Sequence, residues 1–143
     1  MTIEFKLAEP QMADGVYNLI HQLEHDPPKD FFLQQFSEKL DRGDYKIYVA
    51  LEKGEVIAFA EMLFMQFLHK PAKWAKLVSF CVDEKYRNKQ IGSDFLRFLE
   101  LTSKEKGCEC LELISNIRRI HAHRFYERNG YTEYKKMFIK RFE

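Results

Sequence analysis

A chain of 143 residues and 17.2 kDa is the size of one ordinary domain, and 45% hydrophobic with 31% charged residues is a globular balance that excludes a disordered or collagen-like chain. With 23 Lys and Arg against 22 Asp and Glu, the net charge is +1, so no global field draws the chain to nucleic acid or an anionic membrane. Any recognition of phosphate must come from local clusters.

The N-terminal run Met1-Thr2-Ile3-Glu4-Phe5-Lys6 alternates charged and apolar residues and lacks the continuous apolar core of an export signal. The stretch from Val56 to Leu68 is interrupted by Glu61 and Gln66 and is too short to cross a bilayer of about 30 Å as a helix. Three cysteines, Cys81, Cys108 and Cys110, form no C-x-x-C pair and suit reduced thiols, so a cytoplasmic protein is expected.

In chain order, Ile3, Phe5 and Leu7 alternate as in a strand, and Pro10 opens a helix whose apolar face is Val16, Leu19, Ile20 and Leu23. Pro27 and Pro28 end it, and Asp30 is the expected cap of a second helix bearing Phe32, Leu33, Phe36 and Leu40. Tyr45 to Leu51 reads as a strand, residues 52–55 as a turn, and Val56 to about Phe67 as the returning strand. A turn at His69-Lys70-Pro71-Ala72 leads to a strand from Trp74 to Val82, completing a meander. Ile91, Phe95, Leu96, Leu99 and Thr102 mark a helix from about Gln90 to Lys106, stopped by Gly107. Leu111, Leu113 and Ile114 then form a strand that a right-handed crossover sets parallel to residues 74–82. A helix near 119–128 ends at Asn129-Gly130, and alternation up to Phe142 predicts one or two closing strands. The whole is one α/β domain spanning residues 1–143.

The segment Val82-Asp83-Glu84-Lys85-Tyr86-Arg87-Asn88-Lys89-Gln90-Ile91-Gly92-Ser93 ends a strand and opens a helix. The first N–H groups of a helix have no intrahelical partner and carry the positive end of its dipole, which makes such a turn an anion site. Gly92 permits close approach of a ligand, and Arg87 and Lys89 can add charge, so a pyrophosphate suits the turn. A solvated basic loop with a packing glycine is the competing account.

Here the sequence resembles the GNAT family of N-acetyltransferases, whose cofactor motif R/Q-x-x-G-x-G/A follows a strand. Arg87-x-x-Gln90-x-Gly92 matches it except at Gln90, which replaces the first glycine. Ala122-His123-Arg124-Phe125-Tyr126-Glu127-Arg128-Asn129-Gly130-Tyr131 is similar to the more specific A-x-x-F-Y-E-x-x-G-F/Y segment of that family. The order of elements agrees over nearly the whole chain. Arg119 stands where many members have asparagine.

The resemblance implies a mixed, strongly twisted sheet of six to seven strands flanked by about four helices, with acetyl-CoA at the β-α-β crossover and no metal. It places Phe80, Cys81, Val82, Phe125 and the turn residues Arg87, Asn88, Lys89, Gln90, Ile91, Gly92 and Ser93 at the cofactor. The implied reaction is direct attack of a primary amine, from a small molecule or peptide, on the thioester. Tyr126 fits the acid that protonates the departing thiolate, since a phenol of pKa near 10 is protonated at pH 7. The Val82 amide is the candidate oxyanion donor. The stretch Leu77-Val78-Ser79-Phe80 lacks the carboxylate that many relatives use as base, and Glu61, inside an otherwise apolar strand, is the candidate that acts through water. A homodimer is compatible with this reading, as is the alternative of a non-catalytic CoA-binding sensor or interaction domain.

Other motifs carry less. His21-Gln22-Leu23-Glu24-His25 fits an inverted zinc-binding pattern, but Pro27 and Pro28 end its helix at once. The cations Arg118, Arg119, Arg124, Arg128, Lys135, Lys136, Lys140 and Arg141 invite an RNA-binding reading, yet Glu127, Glu133 and Glu143 dilute them and no RNA-binding module accompanies them.

Overall fold

A computed structural model describes residues 2–143. Strand β1 (Ile3–Leu7) is followed by a 3-10 turn over Pro10–Met12 and helix α1 (Ala13–Ile20), which tightens into a second 3-10 turn at His21–Leu23. Helix α2 (Lys29–Leu40) leads into the antiparallel meander β2 (Tyr45–Glu52), β3 (Glu55–Met65) and β4 (Lys73–Val82). Helix α3 (Ile91–Glu105), strand β5 (Cys108–Leu113) and helix α4 (Ile120–Arg128) complete the regular structure. The five strands lie in sequence order, with β5 parallel to β4 and every other pair antiparallel. No described helix is long and apolar enough to cross a membrane.

The strands at the centre of this sheet are buried on both faces, which is why Tyr45–Leu51 and Ile57–Ala60 read as nearly continuous apolar runs. On one face Val16 and Leu19 of α1 and Phe32 and Phe36 of α2 cover Ile47, Val49, Phe59 and Cys81. On the other, Ile91, Phe95, Leu96 and Leu99 of α3 cover Tyr48, Ala58, Met62 and Leu77. Phe59 and Phe95, the largest of the fully buried side chains, each contribute about 1.5–3 kcal/mol by leaving water. Gly107, at φ 88°, takes the left-handed conformation that stops α3.

Two expectations are corrected. The N-cap of α2 is Pro28, with Asp30 already in the first turn beside the helix dipole rather than capping it. The sheet has five strands among the described residues, not six or seven, because 132–143 form no ladder. Alternation specifies an extended segment, but a strand also needs a neighbour for its N–H and C=O groups, and this segment finds none in its own chain. Tyr134 and Lys135 rest against the Trp74 ring, at 6.3 and 4.7 Å, and the residues beyond are exposed.

Candidate active site

The parallel ladder between β4 and β5 ends at Leu77 and Leu113, although β4 continues to Val82. A bulge opposite Glu61 and Met62 makes this break possible, since Ser79 pairs with Glu61 and Leu77 with Met62, leaving Val78 as the extra residue. The bulge also shifts the side-chain phase by one, so Leu77 and Phe80 both face α3. The Asp83 N–H donates to the Ile57 carbonyl at 2.8 Å, which puts the backbone groups of Cys81 on the β3 side. Those of Phe80 and Val82 therefore face the gap that β5 has left.

The gap is closed at one end by the start of α3. The first α-helical bond there runs from the Asp94 N–H to the Gln90 carbonyl, 3.0 Å, so the N–H groups of Ile91, Gly92 and Ser93 have no acceptor in the helix. Gln90 has φ 68° and Asn88 φ 65°, both left-handed, so the position where the motif carries glycine does require positive φ. Gly92 is needed for another reason. A Cβ there would stand 3.2 Å from two ring atoms of Phe125, which packs over the turn from α4. Phe125 in turn stacks on Phe80, with ring centroids 6.1 Å apart.

Tyr126 follows on α4 and packs edge-on against Phe125 and Tyr131, at 5.3 and 6.0 Å. Burial pushes its phenol above the usual value, opposed by the positive charge of Arg119. Its hydroxyl makes no hydrogen bond to the described residues, whereas that of Tyr131 donates to Glu100 at 2.7 Å. Beyond β5, the Ser115 hydroxyl is buried without a partner.

The structure does not bring all expected residues to the gap. The Cys81 side chain lies on the opposite face among α1 residues, where burial raises its thiol pKa, and its sulfur sits 3.6 Å from the Leu19 carbonyl. Arg87 turns back onto the strand, its Nε donating to the Val82 carbonyl at 3.0 Å and its Nη2 reaching Gln22 at 3.5 Å. Lys89 lies over the Tyr86 ring at 5.5 Å.

Glu61 lines a second cleft of about 450 Å³ on the α1 side, with Ile20, Leu23, His25, Asp26, Pro27, Phe59 and Ser79. Its carboxylate accepts hydrogen bonds from Tyr45, 2.5 Å, and Ser79, 2.7 Å. Sequence reasoning did not identify either partner. Ser79 is the direct β4 neighbour of Glu61, so the register of the meander could have revealed it. Gln22, whose side-chain oxygen accepts from the Glu84 N–H at 3.0 Å, comes from 62 residues away and leaves no local signal. The inverted zinc pattern forms no ligand set: His21 faces Asp26 at 3.4 Å, and no described group of three His, Cys, Asp or Glu is placed to hold a metal.

Comparison with known proteins agrees with this architecture. The model of the acetyltransferase (GNAT) family matches residues 14–131. The aminoalkylphosphonate N-acetyltransferase of Salmonella typhimurium is 33% identical over 139 residues, 96% of this chain and 90% of that one. A probable glucosamine 6-phosphate N-acetyltransferase of Drosophila melanogaster is 31% identical over 82% of this chain, which spans about half (55%) of that relative. The crystal structure of glucosamine-6-phosphate N-acetyltransferase from Arabidopsis thaliana superimposes over 100% of both chains with a TM-score of 0.83 at 25% identity. With its splayed parallel strands, its helix-opening turn and its Phe125-Tyr126 segment, this chain belongs to the GNAT family of acyl-CoA-dependent N-acyltransferases.

Proposed function

We propose that this protein transfers the acetyl group of acetyl-CoA to the primary amine of a small molecule, with Tyr126 as general acid. The observation that carries this reading is the gap beyond Leu77 and Leu113. The N–H groups of Phe80 and Val82 face it, and the free N–H groups of α3 stand at its end. Those groups fit a pantetheine chain, which can pair with a strand edge, and a diphosphate, which suits a helix N-terminus. When bound, acetyl-CoA supplies the thioester.

Around that thioester the chain's own groups have separate tasks. The Val82 N–H is placed to stabilise the oxyanion that forms on attack. Tyr126, a phenol neutral at pH 7 whose pKa burial raises further, protonates the departing thiolate. Phe125 packs on Gly92 and Phe80 and so ties Tyr126 to the turn that grips the diphosphate. An amine arrives mostly as ammonium, because its free pKa is near 10.4. Glu61 and Asp26 give the cleft on the α1 side the negative charge that attracts it, and Glu61 takes the proton through water. Aminoalkylphosphonates and glucosamine 6-phosphate, named for the two sequence relatives, are the first acceptors to offer.

The test is thiol release from acetyl-CoA with a panel of these amines and a polyamine. The wild type should turn over at least one, and Tyr126→Phe should lower kcat by about 100-fold or more while calorimetric CoA affinity stays nearly constant. Unchanged kcat would remove the acid role from Tyr126. CoA binding without thiol release on any amine would favour a ligand sensor instead.

A further inference from the structure

The carboxylate of Glu61 is held at both of its oxygens. Its Oε2 accepts from the Tyr45 hydroxyl at 2.5 Å and its Oε1 from the Ser79 hydroxyl at 2.7 Å. The two donors differ in where they stand. Tyr45 is buried outside the lining of the α1-side cleft, with Lys39 Nζ over its ring at 4.0 Å. Burial, and after it the bond to Glu61, raises its pKa, so it remains a neutral donor that fixes the carboxylate from behind.

Ser79 lines the cleft beside Glu61 and Phe59 and is only half-buried. It is also the β4 residue next to Phe80, whose backbone borders the gap left by β5. The extra residue Val78 sets this arrangement, because the bulge puts Ser79 opposite Glu61 while Leu77 and Phe80 both turn towards α3. One hydroxyl therefore touches the carboxylate and also opens on the cleft that an amine must enter.

We infer that Ser79 relays the amine's proton to Glu61, so that the base acts through a hydroxyl fixed in the strand and not through a mobile water. The inference rests on the proposed acetyl transfer. A hydroxyl can accept one hydrogen bond while donating another, which is what a relay needs. The ammonium passes a proton from nitrogen to Ser79 Oγ while the Ser79 hydroxyl proton passes to Glu61 Oε1. Serine ends neutral, the nitrogen lone pair is free, and Glu61 becomes a carboxylic acid that later gives its proton to water. The lone pair then forms the C–N bond, the C–S bond breaks, and Tyr126 protonates the sulfur. A second N–H proton, acidified by the new C–N bond, restores the Tyr126 phenol.

The experiment is single-turnover acetylation followed by rapid quench, with aminoethylphosphonate, glucosamine 6-phosphate and spermidine as acceptors, in mixtures of light and heavy water. Ser79→Ala should slow the transfer step by about 100-fold, the usual scale for proton transfer by a positioned group, while calorimetric CoA affinity and melting temperature stay near wild type. The wild-type rate should fall along a curve as deuterium rises, because two protons move together, and Ser79→Ala should lose that curvature. Ser79→Thr, which keeps the hydroxyl in a strand that suits a β-branched residue, should recover most of the rate and the curvature. A displaced carboxylate alone would give neither result. Glu61→Gln is run beside these variants to separate the two readings. A slow Glu61→Gln with Ser79→Ala at the wild-type rate means that water serves Glu61, which overturns the relay and leaves the base in place. A Glu61→Gln at full rate removes the base and the relay with it, whereas Tyr126→Phe decides the acid role independently. A straight-line deuterium dependence in the wild type, or a Ser79→Thr as slow as Ser79→Ala, also overturns the relay.

Discussion

Gln90 shows how a single backbone angle decides the consequence of a sequence departure. At φ 68° it occupies a left-handed site that costs an L-residue about 1–2 kcal/mol, while glycine would bring its own entropic cost of about 0.5–1 kcal/mol. The first exceeds the second, so Gln90→Gly should stabilise the protein by up to about 1 kcal/mol, visible as a higher urea midpoint. A lower midpoint would mean that the glutamine side chain contributes contacts worth more than the strain. Asn88, at φ 65°, bears the same conformation more easily because asparagine visits it routinely. The spacing Arg87-x-x-Gln90-x-Gly92 located this turn without any structure, but not where Arg87 points. That depends on the Val82 carbonyl and Gln22, which the chain brings in from both sides.

Between elements, the decisive contact is α4 against the start of α3. Gly92 leaves room for the Phe125 ring, and a methyl group placed 3.2 Å from that ring would force it to move by a few tenths of an ångström. Phe125 is only partly buried, so it can yield with little loss of stability, but Tyr126 shifts with it. Gly92→Ala should therefore lower kcat by about tenfold or more, because small misplacements of reacting groups are costly, while the melting temperature changes by only a few degrees. A fall in melting temperature without loss of kcat would contradict this coupling. Glu61 was legible as a charge within an apolar strand, whereas its clamp by Tyr45 and Ser79 required the cross-strand register and the bulge at Val78.

Across the whole molecule, several tyrosines stay protonated in the native state beyond their ordinary range. Burial, with a smaller contribution from Glu105, pushes Tyr48 from 10.0 up to about 12, and Tyr45, Tyr126 and Tyr131 are raised in the same direction, chiefly by burial. Above pH 10 the unfolded chain releases the Tyr48 proton and the native protein keeps it until about 12. The unfolded state then binds fewer protons, so stability falls as pH rises through this window. The urea midpoint should drop between about pH 10 and 12, and Tyr48→Phe should flatten that drop; a midpoint constant over the window would show that these phenols are not held protonated.

The sequence by itself determined the order of elements, the helix-opening turn and the Phe125-Tyr126 segment, since periodicity, helix stops and short motifs are local properties of neighbouring residues. Only the tertiary structure decided that Cys81 faces away from the gap, that Glu61 is held by two hydroxyls and that residues 132–143 form no strand in their own chain. Each of those depends on which distant segment lies alongside, and alternation can prepare a strand edge without supplying the neighbour that pairs with it.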